Sequence, residues 1–164
     1  MGCVRFNKDG WYEVPEWTEI TYRYANGVTM VCGQAQPGGT TFQGDKGVIH
    51  VNRGKLEVKI NGEKVTPANY PKVNVKLYAS DNHHKNWLDC IKSRQDPVAN
   101  VEVGQRSTSL GHLANIARWV SGLTGETGKR LRWDAAAERF TNSDEANRFL
   151  SRPSRAGYTL PDHV

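Results

Sequence analysis

His83 and His84 stand side by side in the run Asn82-His83-His84-Lys85-Asn86-Trp87, the one adjacent histidine pair in the chain. Imidazole changes charge near neutral pH, so such a pair invites proton transfer or metal binding. The spacing argues against a shared metal. Neighbours on a helix project about 100° apart, whereas a helical zinc pair sits at i and i+4. Asp81, His84 and Asp89 would make a mixed ligand set only by distortion. The ordinary reading of the pair is packing or capping of a helix start, and substrate lining is the chemical role kept beside it. His50 lies in an alternating strand and His112 in a helical pattern, and both read as structural.

Other chemistries fail on context. Ser107 and Ser109 lie close to His112, but on one helix and with no Gly-x-Ser-x-Gly elbow to expose a nucleophile. No Gly-x-Gly-x-x-Gly occurs, so no glycine loop can bring a pyrophosphate to a helix N-terminus. Gly38-Gly39 lacks the strand–turn–helix setting that such a loop requires. Among early acids, Asp9 and Glu13 have no histidine near them. Cys3, Cys32 and Cys90 are odd in number and widely spaced, which is neither a disulfide framework nor a zinc pattern. Cys32 and Cys90 sit in apolar stretches and are expected to be buried thiols. The five tryptophans could stack on sugar rings, but burial is the commoner reason for such residues. No catalytic, cofactor-binding or metal-ligating residue is assigned.

The elements that must position these groups are legible from period and punctuation. Trp17 to Tyr24 alternates strictly, which marks a strand with unlike faces. Asn26-Gly27 turns it back into Val28 to Gln34, since Asn-Gly accepts positive φ. Short strands follow at Thr40 to Gln43, Val48 to Asn52, Lys55 to Ile60 and Glu63 to Val65, joined by Gly44 to Gly47, Arg53-Gly54 and Asn61-Gly62. Hairpins this tight demand antiparallel pairing, because parallel strands need long crossovers. Residues 66 to 79 form a loop, ending in an extended piece from Val73 to Tyr78. A helix begins at Ser80-Asp81, either of which can cap it, and stops before Asp96-Pro97. Trp87, Leu88 and Ile91 recur along it at helical spacing. A longer helix runs from Val101 to Ser121, with Val103, Leu110, Leu113, Ala114, Ala117 and Val120 as its apolar stripe. Ser107 and Gly111 beside that stripe would admit a close neighbour. After the turn 122–128, Leu131 to Trp133 is extended, and a last helix covers Ser143 to Leu150 before Pro153.

Composition bounds the rest. A chain of 164 residues is about one domain, here taken as 1–164. No apolar run is long enough to span a bilayer, and Met1 to Arg5 carries no signal-like apolar core. The net charge of +5 gathers late, at Lys129, Arg130, Arg132, Arg139, Arg148, Arg152 and Arg155, but acids interleave. Without a segregated basic face or a known module, nucleic acid is not an expected partner. The basic residues read as a solvated or subunit-contacting surface.

Three stretches together carry a resemblance. They are His83 to Cys90, Gly128-Lys129-Arg130-Leu131-Arg132-Trp133-Asp134, and Asp144-Glu145-Ala146-Asn147-Arg148-Phe149-Leu150-Ser151-Arg152-Pro153. In this order, after the hairpin strands, they resemble the carboxy-terminal domain of the Gfo/Idh/MocA oxidoreductases, the glucose–fructose oxidoreductase and inositol dehydrogenase family. The resemblance covers about Trp17 to Tyr158. It implies two-domain enzymes in which a Rossmann domain binds NAD(P) and supplies a Glu-Lys-Pro lysine. The second domain opens with an Asp-x-x-x-His pair and continues into an antiparallel sheet that mediates dimer or tetramer contacts. Neither motif occurs here: Gly62-Glu63-Lys64-Val65 fails at its last residue, and no Asp-x-x-x-His pair precedes the first strand.

The expected fold is α+β, an open antiparallel β-sheet with helices packed on one face. The resemblance implies the substrate-binding and oligomerisation domain of an NAD(P)-dependent sugar or polyol oxidoreductase, silent alone. The alternatives are a free-standing scaffold subunit and a carbohydrate-binding module. Expected partners are a second copy through the sheet face and a Rossmann domain in cis or in trans, with no membrane. The expected location is cytoplasmic, with an exported parent protein left open. Cofactor binding is expected only in the full enzyme, as NAD(P).

Overall fold

A computed structural model describes residues 2–7, 9–12, 14–72 and 74–159. Glu13 and Val73, both named above, lie outside the described residues. The chain falls into two compact units, one made of residues 1–35 with 105–164 and the other of residues 36–104.

The first unit holds a three-stranded antiparallel sheet in the order β1 (Gly2–Phe6), β2 (Pro15–Arg23), β3 (Thr29–Gly33). The alternating run forms β2 as expected. Gly27 takes φ +89 at the hairpin, and the Tyr24 N–H donates to the Val28 carbonyl at 2.9 Å. The edge strand β1 is absent from the sequence reading. It is short, and its pairing with β2 slips between Arg5 and Phe6. Cys32, expected to be buried, is exposed, because β3 is the other edge of this sheet and pairs on one side only.

The long helix follows as expected, from Val101 to Thr124, and most of it belongs to the first unit. This helix is α2; α1 (His83–Ser93) precedes it in the chain. Of the predicted stripe Val120 is buried, beside Ile116; Leu113, Ala114 and Ala117 are half-buried, and Val103 near its start is exposed. The close approach falls at Gly122 and not at Gly111. A Cβ at Gly122 would meet the Phe6 ring at 3.0 Å, while Gly111 has open space around it.

The core of this unit is Ile116, Val120, Phe140 and Ala146, with Leu113, Trp119, Leu131, Trp133 and Phe149 packed around it. Trp133 meets Phe140 edge-on at 5.1 Å between centroids, a favoured aromatic geometry. These two rings sit opposite each other in a hairpin that the sequence reading shows only as one extended piece: β8 (Trp133–Asp134) and β9 (Arg139–Phe140). The Asp134 carboxylate closes its turn by accepting from the Ala136 and Ala137 N–H groups at 2.9 and 3.0 Å. The last helix, α3 (Asp144–Asn147), is shorter than expected. Ser143 caps it by accepting from the Ala146 N–H, and tighter turns carry the chain on to Leu150.

The second unit contains a four-stranded antiparallel meander in chain order: β4 (Thr40–Gly44), β5 (Gly47–Asn52), β6 (Lys55–Ile60), β7 (Glu63–Val65). Each strand lies within about a residue of its predicted place, since Arg53-Gly54 and Asn61-Gly62 set the turns. Asn61 and Gly62 both take positive φ, as a two-residue hairpin turn requires. The helix α1 starts slightly later than expected, with Asn82 in the capping role: its side chain accepts from the Lys85 N–H at 2.9 Å. It ends at Arg94, which takes the left-handed conformation. Cys90 is buried as expected, but Trp87, Leu88 and Ile91 are exposed.

The α+β class and the antiparallel pairing therefore hold. Hydrogen bonds distribute the described strands over three sheets, of three, four and two strands. Among the described residues, no helix is long and apolar enough to cross a membrane.

Candidate functional site

The first unit carries an open cleft of about 1010 Å³. Three segments far apart in sequence build it: the end of β2 and its turn, the first half of α2, and residues 128–140 with the β8–β9 hairpin. Tyr22 joins the first two. Its hydroxyl donates to the Leu110 carbonyl at 2.7 Å. Burial, reinforced by Cys32 and Tyr24, pushes this phenol up to about 12. Tyr22 is therefore a neutral, committed donor at physiological pH, a wall of the cleft and not an acid–base group. Gln105 joins α2 to the hairpin turn by donating to Glu138 at 2.8 Å.

The rim from Arg130 to Arg132 is held by a side chain used as backbone. Asn142 accepts from the Arg132 N–H at 2.8 Å and donates to the Arg130 carbonyl at 2.9 Å. The Thr141 N–H adds a bond to the Arg132 carbonyl. Leu131 and Trp133 pack against the core, and Arg130 and Arg132 are exposed. Asn147 repeats the device one layer down. It accepts from the Phe140 N–H at 2.8 Å and donates to the Phe140 carbonyl at 2.9 Å, fixing a core ring through its backbone. The Asn in the tail stretch Asp144 to Pro153 thus has a definite physical task.

A smaller groove of about 600 Å³ lies in the same unit, lined by Phe6, Trp119, Phe149, Arg148 and Arg152 among others. The Arg152 guanidinium sits 5.3 Å from the Trp119 ring centroid. The tail is thus laid across its own unit by a cation–π contact.

His83 and His84 belong to the second unit and are not among the residues lining the cleft. Both are exposed on the first turn of α1, with ring centroids 4.0 Å apart. His50 lies on the polar face of the meander, its Nδ1 2.8 Å from the Thr41 hydroxyl. Ser109 donates back to the Gln105 carbonyl of its own helix at 2.9 Å, which commits its hydroxyl to the helix. Trp119 and Trp133 pack against the core, whereas Trp11 and Trp87 are exposed.

The meander has one apolar face. Residues directly opposite in an antiparallel pair share a face, which puts Phe42, Ile49, Val58 and Val65 in one row and Thr40, Val51 and Leu56 beside it. The other face carries Thr41, Gln43, His50, Glu57, Lys59 and Lys64. On the apolar face Val58 is buried, but Phe42 is 60% exposed and Ile49, Val51 and Leu56 are each more than 40% exposed.

The described sheets and helices are of the α+β class, with a ligand-sized recess in one unit and a largely exposed apolar sheet face in the other. The family described as the oxidoreductase family, C-terminal alpha/beta domain, matches residues 6–160, and the chain belongs to that family, as the carboxy-terminal domain of the Gfo/Idh/MocA oxidoreductases. No curated protein and no solved structure matches the chain.

Gly38-Gly39 leads into strand β4, not into a helix, so no amide-lined helix N-terminus stands there to receive a pyrophosphate.

Proposed function

We propose that the chain is a single substrate-binding and oligomerisation domain of a sugar- or polyol-directed, NAD(P)-dependent oxidoreductase. A Rossmann domain, in cis or in trans, holds the cofactor and carries the hydride chemistry. This domain shapes the substrate's surroundings and joins copies of the enzyme, in the cytoplasm. His83 and His84, exposed and in ring contact, are the substrate-facing pair of the second unit.

The observation that carries the joining role is the apolar face of the β4–β7 meander. A face with Phe42, Ile49, Val51 and Leu56 all open to water is costly for an isolated protein, at about 25 cal/mol per Å² of apolar surface, and such contiguous patches mark interfaces. A two-fold dimer is the commonest way to close one. Sedimentation equilibrium at on the order of 10 μM, where a dimer of about micromolar affinity is well populated, should give twice the 18.3 kDa chain mass. Phe42→Lys, at a position 60% exposed, should return the monomer. A monomeric parent chain, or a lysine variant that associates as before, would remove the interface.

A further inference from the structure

Within the sugar and polyol class, the cleft of the first unit narrows the substrate through its charge. Five cations line it, Arg23, Arg106, Lys129, Arg130 and Arg132, against one acid, Glu138. That acid already accepts from Gln105, and Lys129 lies 3.4 Å from Glu126. From the reading of this chain as a substrate domain, we infer that the cleft binds a small ligand bearing an oxyanion, a carboxylate or a phosphate on a polyol or sugar.

Hydrogen-bond chemistry gives the first reason. Guanidinium and ammonium groups donate and never accept. A neutral polyol offers hydroxyls that donate as well as accept, so its site needs acceptors beside donors. Here the charged lining side chains are five cations and one carboxylate, beside neutral groups such as Tyr24 and Gln105 that a sugar's hydroxyls can use. An oxyanion offers acceptors only and matches those cations. Arginine suits the task in particular, because its planar fork meets carboxylate or phosphate oxygens in pairs.

Rigidity is the second reason. Arg130 and Arg132 flank Leu131 on the rim, and all three line the recess. Their backbone is pinned from both ends of Leu131 by Asn142, and Leu131 itself packs on the core. Two exposed guanidiniums therefore rise from a fixed edge, and ordering them around a ligand costs less than ordering two from a mobile loop. Size is the third. A recess of about 1010 Å³ within a single unit is at the scale of small-molecule sites, and a purely solvated basic surface has no need of a recess.

The test uses the whole chain and four probes: glucose, gluconate, glucose 6-phosphate and inorganic phosphate. Binding is followed by calorimetry and by amide shifts at low and at physiological salt. Gluconate, glucose 6-phosphate or both should bind with an affinity that falls as salt rises, and glucose should bind about tenfold more weakly or less. The better of the two charged sugars identifies carboxylate or phosphate as the natural group. Inorganic phosphate should compete. Arg130→Gln with Arg132→Gln should weaken the charged probe by about tenfold or more, Arg23→Gln should weaken it without touching the 130–132 edge, and Lys55→Gln in the other unit should change nothing. Equal binding of glucose and the charged sugars would overturn the inference. So would no binding of any charged probe, or unaltered binding in both arginine variants. None of those outcomes alters the sedimentation result, so the anion assignment can fail while the domain reading stands.

Discussion

Replacing Asn147 with alanine removes both hydrogen bonds that fix the Phe140 backbone, each close to 2.9 Å. Phe140 is 3% exposed and meets Trp133 across the β8–β9 pair, so the groups left behind have little water to turn to. Two neutral hydrogen bonds contribute about 0.5–1.5 kcal/mol each, and an orphaned buried backbone group raises the cost toward the upper end of that range. The sum is about 2–3 kcal/mol. In a chain of this size one kcal/mol moves the melting temperature by roughly 2–4 °C, so Asn147→Ala should melt about 5–10 °C lower by calorimetry or circular dichroism. Asn147→Asp tests the geometry: it keeps the acceptor for the Phe140 N–H but places a carboxylate against the Phe140 carbonyl, and should do no better than alanine. A shift under about 1 °C in both variants would refute the idea that Asn147 holds the core through the backbone.

Two further predictions concern the walls of the units. The Tyr22 phenol titrates above its unfolded value of 10.0, at about 12; the folded state therefore holds this proton more tightly, so its contribution is complete below pH 10 and is lost as pH rises toward 12. Tyr22→Phe should flatten the fall of stability between pH 10 and 12 in denaturant titrations, and an unchanged alkaline slope would contradict that role. Gly47→Ala would drive a Cβ into the Lys59 carbonyl oxygen inside the β5–β6 pair; backbone must move, and a loss of about 1–3 kcal/mol in urea unfolding is expected, against no loss if the strand pair is looser than described.

What could be read ahead of the structure divides along physical lines. The meander was legible because Asn61-Gly62 and Arg53-Gly54 are turns by local chemistry, and a two-fold alternation between them leaves one register. The α2 stripe was legible in its lower half, where Val120 is wholly buried, and misleading at Val103, where the helix has no cover. The β8–β9 hairpin was hidden because its strands are two residues long and its turn depends on the Asp134 side chain, not on glycine. The cleft was hidden for a different reason. Arg130 and Arg132 looked like solvated surface charge, and only folding brings them into one recess with residues 20–25 and 105–117. The histidine pair attracted notice by residue type alone, and the structure puts it in the other unit. The late arginines read as a solvated or subunit-contacting surface. Arg152 is instead seated on the Trp119 ring, a contact that no charge pattern in the sequence announces.

The central claim is that this domain belongs to an oxidoreductase but is not the part that holds its cofactor. Titration of the chain with NADH and NADPH, followed by fluorescence and heat, tests it most directly. The account predicts no saturable binding up to about 100 μM, a level well inside the range in which enzymes engage their substrates. Saturable binding below that level would contradict it and would require a nucleotide site within these 164 residues.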